Sequence, residues 1–339
     1  MTRHPKVSII IPVIAVNDYV RESVPKILNL DWPDFEIIIF PDEPDSKNSW
    51  PKTKLIASGK IGPAGKRNLA LKYASGEIVA FLDDDAYPEK DWLKQAIGYF
   101  SDPKVAAVGG PAITPADDGV LQKVSGAVYE SYIGGAGVRN RYLSVGETRE
   151  VDDWPTVNLL VRKDIFEKVG GFDCSFWPGE DTKLCLDIIH QGSKIVYGPK
   201  VIAYHHRRSN LLKHFKQIGG YGLHRGHFAR IFPETSFRLL YFIPSLFDLY
   251  LIALIAASLI LSSKILFITL IPLLLYFSAL IVDSFVISWR WRNPLVGLIT
   301  IPMIFLTHVW YGIRFVIGYG TKKLVSKLAT AEEREINKK

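Results

Sequence analysis

Apolar residues fall into two regimes along the chain. Up to about residue 236 they come in short runs set between stretches of helical spacing, and from 237 onward they form three long blocks. VSIIIPVI (7–14) is a continuous apolar run closed by Pro and polar residues, the pattern of a strand buried on both faces. FEIIIF (35–40) and EIVAFLDDD (77–85) repeat it, with helical stretches near 18–30 and in KRNLALKYA (66–74). This alternation predicts an α/β fold, a mostly parallel sheet flanked by helices. Ligands of such sheets lie beyond the carboxyl ends of the strands. Asp42 and Asp83-Asp84-Asp85 fall at such ends.

The long blocks run roughly Phe237–Ser263, Ile265–Trp289 and Pro294–Tyr319. The first two exceed the ~20 residues that cross a bilayer core, with one acid each, Asp248 and Asp283. The third carries His308 and Arg314 and is open to two readings, a full span or a short span followed by an interfacial piece. Arg290 and Arg292 belong on the cytosolic side by the positive-inside rule. That agrees with a cytosolic N-terminal region, whereas three full spans would put the Lys-rich tail outside. The expected division is a catalytic domain over 1–208, an interfacial amphipathic segment over 209–236, about three transmembrane helices over 237–320, and a charged tail over 321–339. Residues 209–230 mix Leu, Phe, Ile and Tyr with Lys, His and Arg, which suits a helix at lipid headgroups or one that packs between domains. The N-terminal apolar run is short, contains Pro and lacks a small-residue cleavage site, so it reads as a buried strand with a cytosolic N-terminus.

Charge refines the picture. The formal net charge is +7, and the basic residues gather at 205–230, 290–292 and 322–339, beside the apolar blocks. That placement favours an anionic membrane surface and argues against nucleic acid. The two cysteines, Cys174 and Cys185, have no metal-site spacing and fit a reducing compartment.

Two acidic motifs carry the candidate chemistry. Three consecutive carboxylates repel one another unless a cation neutralises them, and otherwise form a solvated turn. On an extended chain Asp83 and Asp85 point the same way, and their hard oxygens suit Mg²⁺ or Mn²⁺ bridging a diphosphate. Glu180-Asp181 opens a helical stretch after Trp177-Pro178-Gly179. Acids there can serve the helix dipole, or one of them can act as a general base.

LDDDAYP resembles the Asp-x-Asp signature of family 2 glycosyltransferases of the GT-A fold. The order of the other segments strengthens the resemblance. VSIIIPV is similar to the opening strand, FEIIIFPDEPDSKN to the strand and loop that follow, and GKRNLALKYASGEIVAFLDDD to the Arg-Asn helix leading into the Asp-x-Asp strand. VNLLVRKDIFEKVGGFD (157–173) and GEDTKLCLDIIHQG (179–192) resemble the acceptor-side segment and the catalytic Glu-Asp motif. The apolar tail and KHFKQIGGYGLHRG resemble a membrane-bound branch that includes succinoglycan-type enzymes. The resemblance covers roughly residues 5–230.

It implies Pro12, Asp42, Arg67, Asp83 and Asp84 on the nucleotide-sugar side, Asp42 at the base and Arg67 at the diphosphate. It implies metal ligands among Asp83, Asp85 and His205 or His206. Asn158 and Trp177 fall on the acceptor side, and Asp181 is the base, with Glu180 steering substrate. Departures are visible. The usual Asp-Asp-Gly-Ser is Pro41-Asp42-Glu43-Pro44, and Asp187 stands where many relatives carry Arg. The Gln-x-x-Arg-Trp of processive synthases is missing, which points to single-sugar addition.

The implied activity is inverting sugar transfer from a nucleotide-sugar donor, with Mn²⁺ or Mg²⁺, at the cytosolic membrane face. An apparent base favours a hydroxyl acceptor on a lipid-linked saccharide, since a polyprenyl phosphate is already an anion. The alternatives are a polyprenyl-phosphate glycosyltransferase and an inactive membrane scaffold.

Overall fold

The computed structural model describes residues 4–324 apart from Trp177. The charged tail from residue 325 and the acceptor-side candidate Trp177 therefore lie outside the described residues. The strands are β1 (Val7–Pro12), β2 (Phe35–Phe40), β3 (Thr53–Leu55), β4 (Ile78–Phe81), β5 (Ala86–Pro88), β6 (Val105–Gly109), β7 (Ala112–Ile113), β8 (Arg149–Val151), β9 (Leu159–Arg162), β10 (Lys194–Tyr197) and β11 (Ala203–His205). The helices are α1 (Asp18–Leu28), α2 (Pro63–Asn68), α3 (Ala70–Tyr73), α4 (Trp92–Ile97), α5 (Val120–Glu130), α6 (Lys163–Lys168), α7 (Glu180–His190), α8 (Leu211–Ile231), α9 (Pro233–Ser236), α10 (Leu239–Ile260), α11 (Ser263–Trp291) and α12 (Pro294–Gly320).

The chain divides into two compact units. One comprises the residues up to Ile113 together with Leu143–His206; the other comprises Thr114–Tyr142 and Arg207–Leu324. The first holds an eight-stranded sheet of order β3-β2-β1-β4-β9-β6-β10-β8 and a small sheet of order β5-β11-β7. Pairs β1–β2, β1–β4, β2–β3 and β6–β10 are parallel, whereas β9 runs antiparallel to β4 and β6, and β8 antiparallel to β10. The mostly parallel α/β sheet expected from the pattern is present.

The apolar runs make this sheet because both of its faces are covered. Ile9, Ile11, Ile37 and Ile39 join one core cluster, while Ile10, Ile38, Phe40 and Phe81 join the other. Successive residues of a strand point to opposite faces, so a strand buried on both needs no polar alternation. Ser8 is the exception within β1, and its hydroxyl donates to Glu36 at 2.7 Å. Glu36 also accepts from Ser75 and Lys54. Burial alone would raise its pKa, but Lys54, Ser75 and Ser8 outweigh it and bring the carboxyl down to about 2.

The second unit is helical. α10, α11 and α12 are each long and apolar enough to cross a membrane. The third apolar block is one continuous helix, not a broken pair. Its polar residues are accommodated inside the unit: His308 Nδ1 lies 3.0 Å from the Tyr276 hydroxyl, and Arg314 Nε donates to the Gly219 carbonyl at 3.2 Å. α8 lies against α12 through a row of glycines. A Cβ at Gly226 would fall 2.0 Å from the Phe315 carbonyl oxygen, and one at Gly222 would fall 2.7 Å from that of Tyr311. α8 thus packs within its own unit. The grouping of Thr114–Tyr142 with these helices differs from the linear division at residue 208. Its helix α5 supplies Val124, Ala127 and Val128 to a core shared with Leu280, Ile287, Val296, Met303 and Ile304.

Candidate active site

The acidic run follows β4. Leu82 is buried, and the chain then turns through Asp83, Asp84 and Asp85 into β5. β5 pairs antiparallel with β11 so that Ala86 faces His205, and the His206 amide donates to the Asp85 carbonyl at 2.9 Å. This pairing, between segments far apart in sequence, brings a histidine to the acids. One donor atom from each of Asp83, Asp85 and His205 lies within 4.8 Å of the others, and His205 Nε2 is 3.0 Å from Asp85 Oδ1. Donors around one divalent ion at about 2.1 Å stand roughly 3–4 Å apart. Two carboxylates and an imidazole at this spacing therefore fit a cation such as Mn²⁺ or Mg²⁺.

His206 is not part of that cluster. Its Nε2 lies 3.2 Å from Glu22 Oε2 on α1, and its ring sits 4.8 Å from that of Tyr19. Adjacent strand residues face opposite ways, so only one of the two histidines can face the acids. Asp84 also points elsewhere, accepting from Asn17 Nδ2 at 2.5 Å. Burial, then the charges of Asp85 and Asp83, push the Asp84 carboxyl up to about 6.

Arg67 ties the two acidic motifs together. Its Nη2 donates to Asp83 at 2.6 Å and its Nη1 to Glu180 at 3.0 Å. Arg67 is 4 % exposed and Glu180 5 %. Arg67 thus forms an internal bridge, and Glu180 is buried beside it. Burial and then the charge of Asp181 push the Glu180 pKa up, with Arg67 opposing. Gly179 enters α7 at φ 134°, a conformation that disfavours any Cβ, and its amide donates to Glu180 Oε2 at 3.0 Å. Asp181 is only partly buried, and its Oδ1 accepts from the Thr182 amide.

Asp42 follows β2 and is paired with Lys66, which also donates to the Val13 carbonyl. Pro12 is buried at the end of β1, in register with Phe40. Asn158 is fully buried: its amide donates to the carbonyls of Pro111 and Val201 and its oxygen accepts from Trp92 Nε1. These bonds hold loops together. Asp187, the departure from the family pattern, pairs with Lys183 at 2.6 Å.

Lys66 drew no role from the sequence, and Asn68 entered only as part of the Arg-Asn pair, although both flank Arg67. Asn68 accepts from the Phe172 amide at 2.7 Å and donates to its carbonyl at 2.8 Å, fixing the turn before α7. The run Lys-Arg-Asn on a short helix was the available signal.

The glycosyl transferase family 2 model matches residues 8–170, just under half of the chain. Over 321 residues the chain is 25% identical to the dolichyl N-acetyl-alpha-D-glucosaminyl phosphate 3-beta-D-2,3-diacetamido-2,3-dideoxy-beta-D-glucuronosyltransferase of Methanococcus voltae, covering 89% of this chain and 93% of that one. It is 32% identical over 161 residues to the pre-mycofactocin glycosyltransferase of Mycobacterium tuberculosis (strain ATCC 25618 / H37Rv), 48% of this chain. The match spans only 33% of that relative's length. The mannosyltransferase PcManGT from Pyrobaculum calidifontis, solved with GDP-Man and Mn²⁺, shares the fold with a TM-score of 0.58 at 18% identity, over 91% of this chain and 88% of that one.

Proposed function

We propose that this chain is an inverting, metal-dependent glycosyltransferase. It moves a sugar from a nucleotide-sugar donor to a hydroxyl of a lipid-linked saccharide, at the cytosolic face of a membrane crossed by α10–α12. The observation that carries this reading is the bridge from the Asp83–Asp85–His205 donor set through Arg67 to Glu180 and Asp181.

Asp83, Asp85 and His205 would hold the ion, and an imidazole among the donors favours the softer Mn²⁺ over Mg²⁺. When bound, the ion supplies Lewis-acid neutralisation of a departing diphosphate. Asp42 and Pro12, at the ends of β2 and β1, face the nucleotide side. Asp181 takes the proton of the acceptor hydroxyl as that oxygen bonds to the anomeric carbon and the diphosphate oxygen leaves. Attack from the face opposite the leaving group inverts that carbon. Arg67 keeps base and metal ligands at a fixed separation, which matters because small misplacements cost large factors in rate. The Methanococcus relative, a dolichyl N-acetyl-alpha-D-glucosaminyl phosphate glucuronosyltransferase, supports the lipid-linked saccharide.

The test is Asp181→Asn in the full chain, assayed with a panel of nucleotide sugars and Mn²⁺. Transfer should fall by about 10²–10⁴-fold, the usual worth of a general base, while nucleotide-sugar binding persists. Full transfer rate in that variant would remove the base. A product with the sugar joined directly to polyprenyl phosphate would replace the hydroxyl acceptor.

A further inference from the structure

Asp283 is an acid inside α11, two turns before the helix ends at Trp291, about 12 Å along the axis. It is 4 % exposed, and its Oδ2 accepts the backbone amide of Ile133 at 3.0 Å. His308 of α12, whose other contact is the Tyr276 hydroxyl, reaches the same residue's backbone. Ile133 lies just past the end of α5, where the chain is not helical. The turn around it is tight. The Ser131 hydroxyl accepts the Gly134 amide at 2.6 Å, and a Cβ at Gly134 would sit 2.3 Å from the Val128 carbonyl and 3.2 Å from Ile304. α5 itself is tied in by His214, which lies 2.8 Å from the Ser125 hydroxyl and 3.1 Å from that of Thr307.

These contacts set a depth. Ile304 and His308 are roughly 15–20 Å into α12 from Pro294. The turn Arg290–Asn293 between the two helices carries the polar residues expected at a membrane interface. The loop after α5 therefore reaches well inside the span of the apolar helices, against a bilayer core of about 30 Å. Non-helical backbone survives at such depth only where protein groups satisfy it. An acid there is costly without a partner. Ile133 and Asp283 answer each other's need.

We propose that Asp283 is a positioning residue that pins Val120–Tyr142 as a re-entrant element within the membrane-spanning helices.

The full chain in lipid nanodiscs provides the test, with Asp283→Leu, Asp283→Asn and, as an independent lesion of the same turn, Gly134→Val. Amide exchange of the peptide spanning 129–137 should be slow in the wild type and at least tenfold faster in Asp283→Leu and Gly134→Val. α12 should stay protected, and Asn, which keeps an acceptor oxygen, should restore protection. Equal protection in wild type and Asp283→Leu would overturn the pinning. Equal acceleration of exchange across α12 in Asp283→Leu would mean a general loosening of the helices and would likewise overturn the pinning.

Discussion

The two units treat buried charge in opposite ways. In the sheet unit charges face charges: Lys66 meets Asp42, Arg67 joins Asp83 to Glu180, and His205 meets Asp85. In the helical unit charges mostly face backbone: Asp283 takes the Ile133 amide, Arg314 reaches the Gly219 carbonyl and Arg139 the Glu130 carbonyl. Glu130 differs, lying 3.9 Å from Arg290 and accepting from Thr114. Linked charges at a sheet edge can respond to a charged substrate. Charges spent on backbone groups fasten chain segments to one another. The first arrangement suits chemistry, and the second suits docking of helices in an apolar medium.

This contrast can be broken most strongly at the metal cluster. Asp85→Ala removes a donor that no neighbour replaces, since Asp84 is turned to Asn17. Metal-dependent transfer should fall by about 10⁴-fold, and Mn²⁺ affinity measured by calorimetry should fall with it. Retained Mn²⁺ affinity would mean that the acids serve only as a turn. A step down in size is Arg67→Met. It leaves Glu180 buried beside Asp181 with no cation, and removing one partner of a buried pair costs about 3–5 kcal/mol. Asp83 is partly exposed, so the lower end of that range is expected. The variant should unfold at a clearly lower temperature, and Glu180→Gln in the same background should recover part of the loss. No recovery would show that the two motifs are not coupled through this arginine.

In the helical unit the corresponding break is steric. Gly226→Val places side-chain atoms where the Phe315 carbonyl lies, only 2.0 Å from the Cβ position. Overpacking of that kind costs about 1–3 kcal/mol. α8 should loosen from α12, seen as faster amide exchange over 211–231, without any change in Mn²⁺ affinity. A fall in metal affinity would tie the helix pair to the cluster and blur the contrast.

Much of the sheet unit was legible because its strands are buried on both faces and so read as unbroken apolar runs. Asp83-Asp84-Asp85 and Glu180-Asp181 were legible from their places, one directly after an apolar strand and the other opening a helix, in the order the family resemblance supplies. The inward turn of Arg67 was not, since its letters fit an exposed helix equally well. The choice between His205 and His206 depends on the register of β11 against β5, a long-range pairing that local pattern does not encode. Residues 114–142 lie inside the 1–208 segment expected from the sequence to be one domain. Val124, Ala127 and Val128 have ordinary helical spacing, and only tertiary packing shows that their partners are α11 and α12.

The smallest effect tests charge pairing away from the site. Glu36 is buried under β1 and accepts from Ser8, Ser75 and Lys54. Lys54 is half exposed, so most of the benefit comes from the hydroxyls and the Ser75 amide. Glu36→Gln should cost about 1–2 kcal/mol at pH 7, within the range for hydrogen bonds to a charged group, and lower Tm by a few degrees. The sign with pH follows from the depressed carboxyl. Its folded value of about 2 lies below the ordinary 4.5, so its stabilisation is complete above pH 4.5 and is lost as pH falls towards 2. The Tm difference between wild type and variant should therefore be constant from pH 7 to about 5 and shrink below 4.5. A difference that stays constant down to pH 3 would assign the role of Glu36 to shape rather than charge, and the sheet unit would then use paired charge only at its acidic edge.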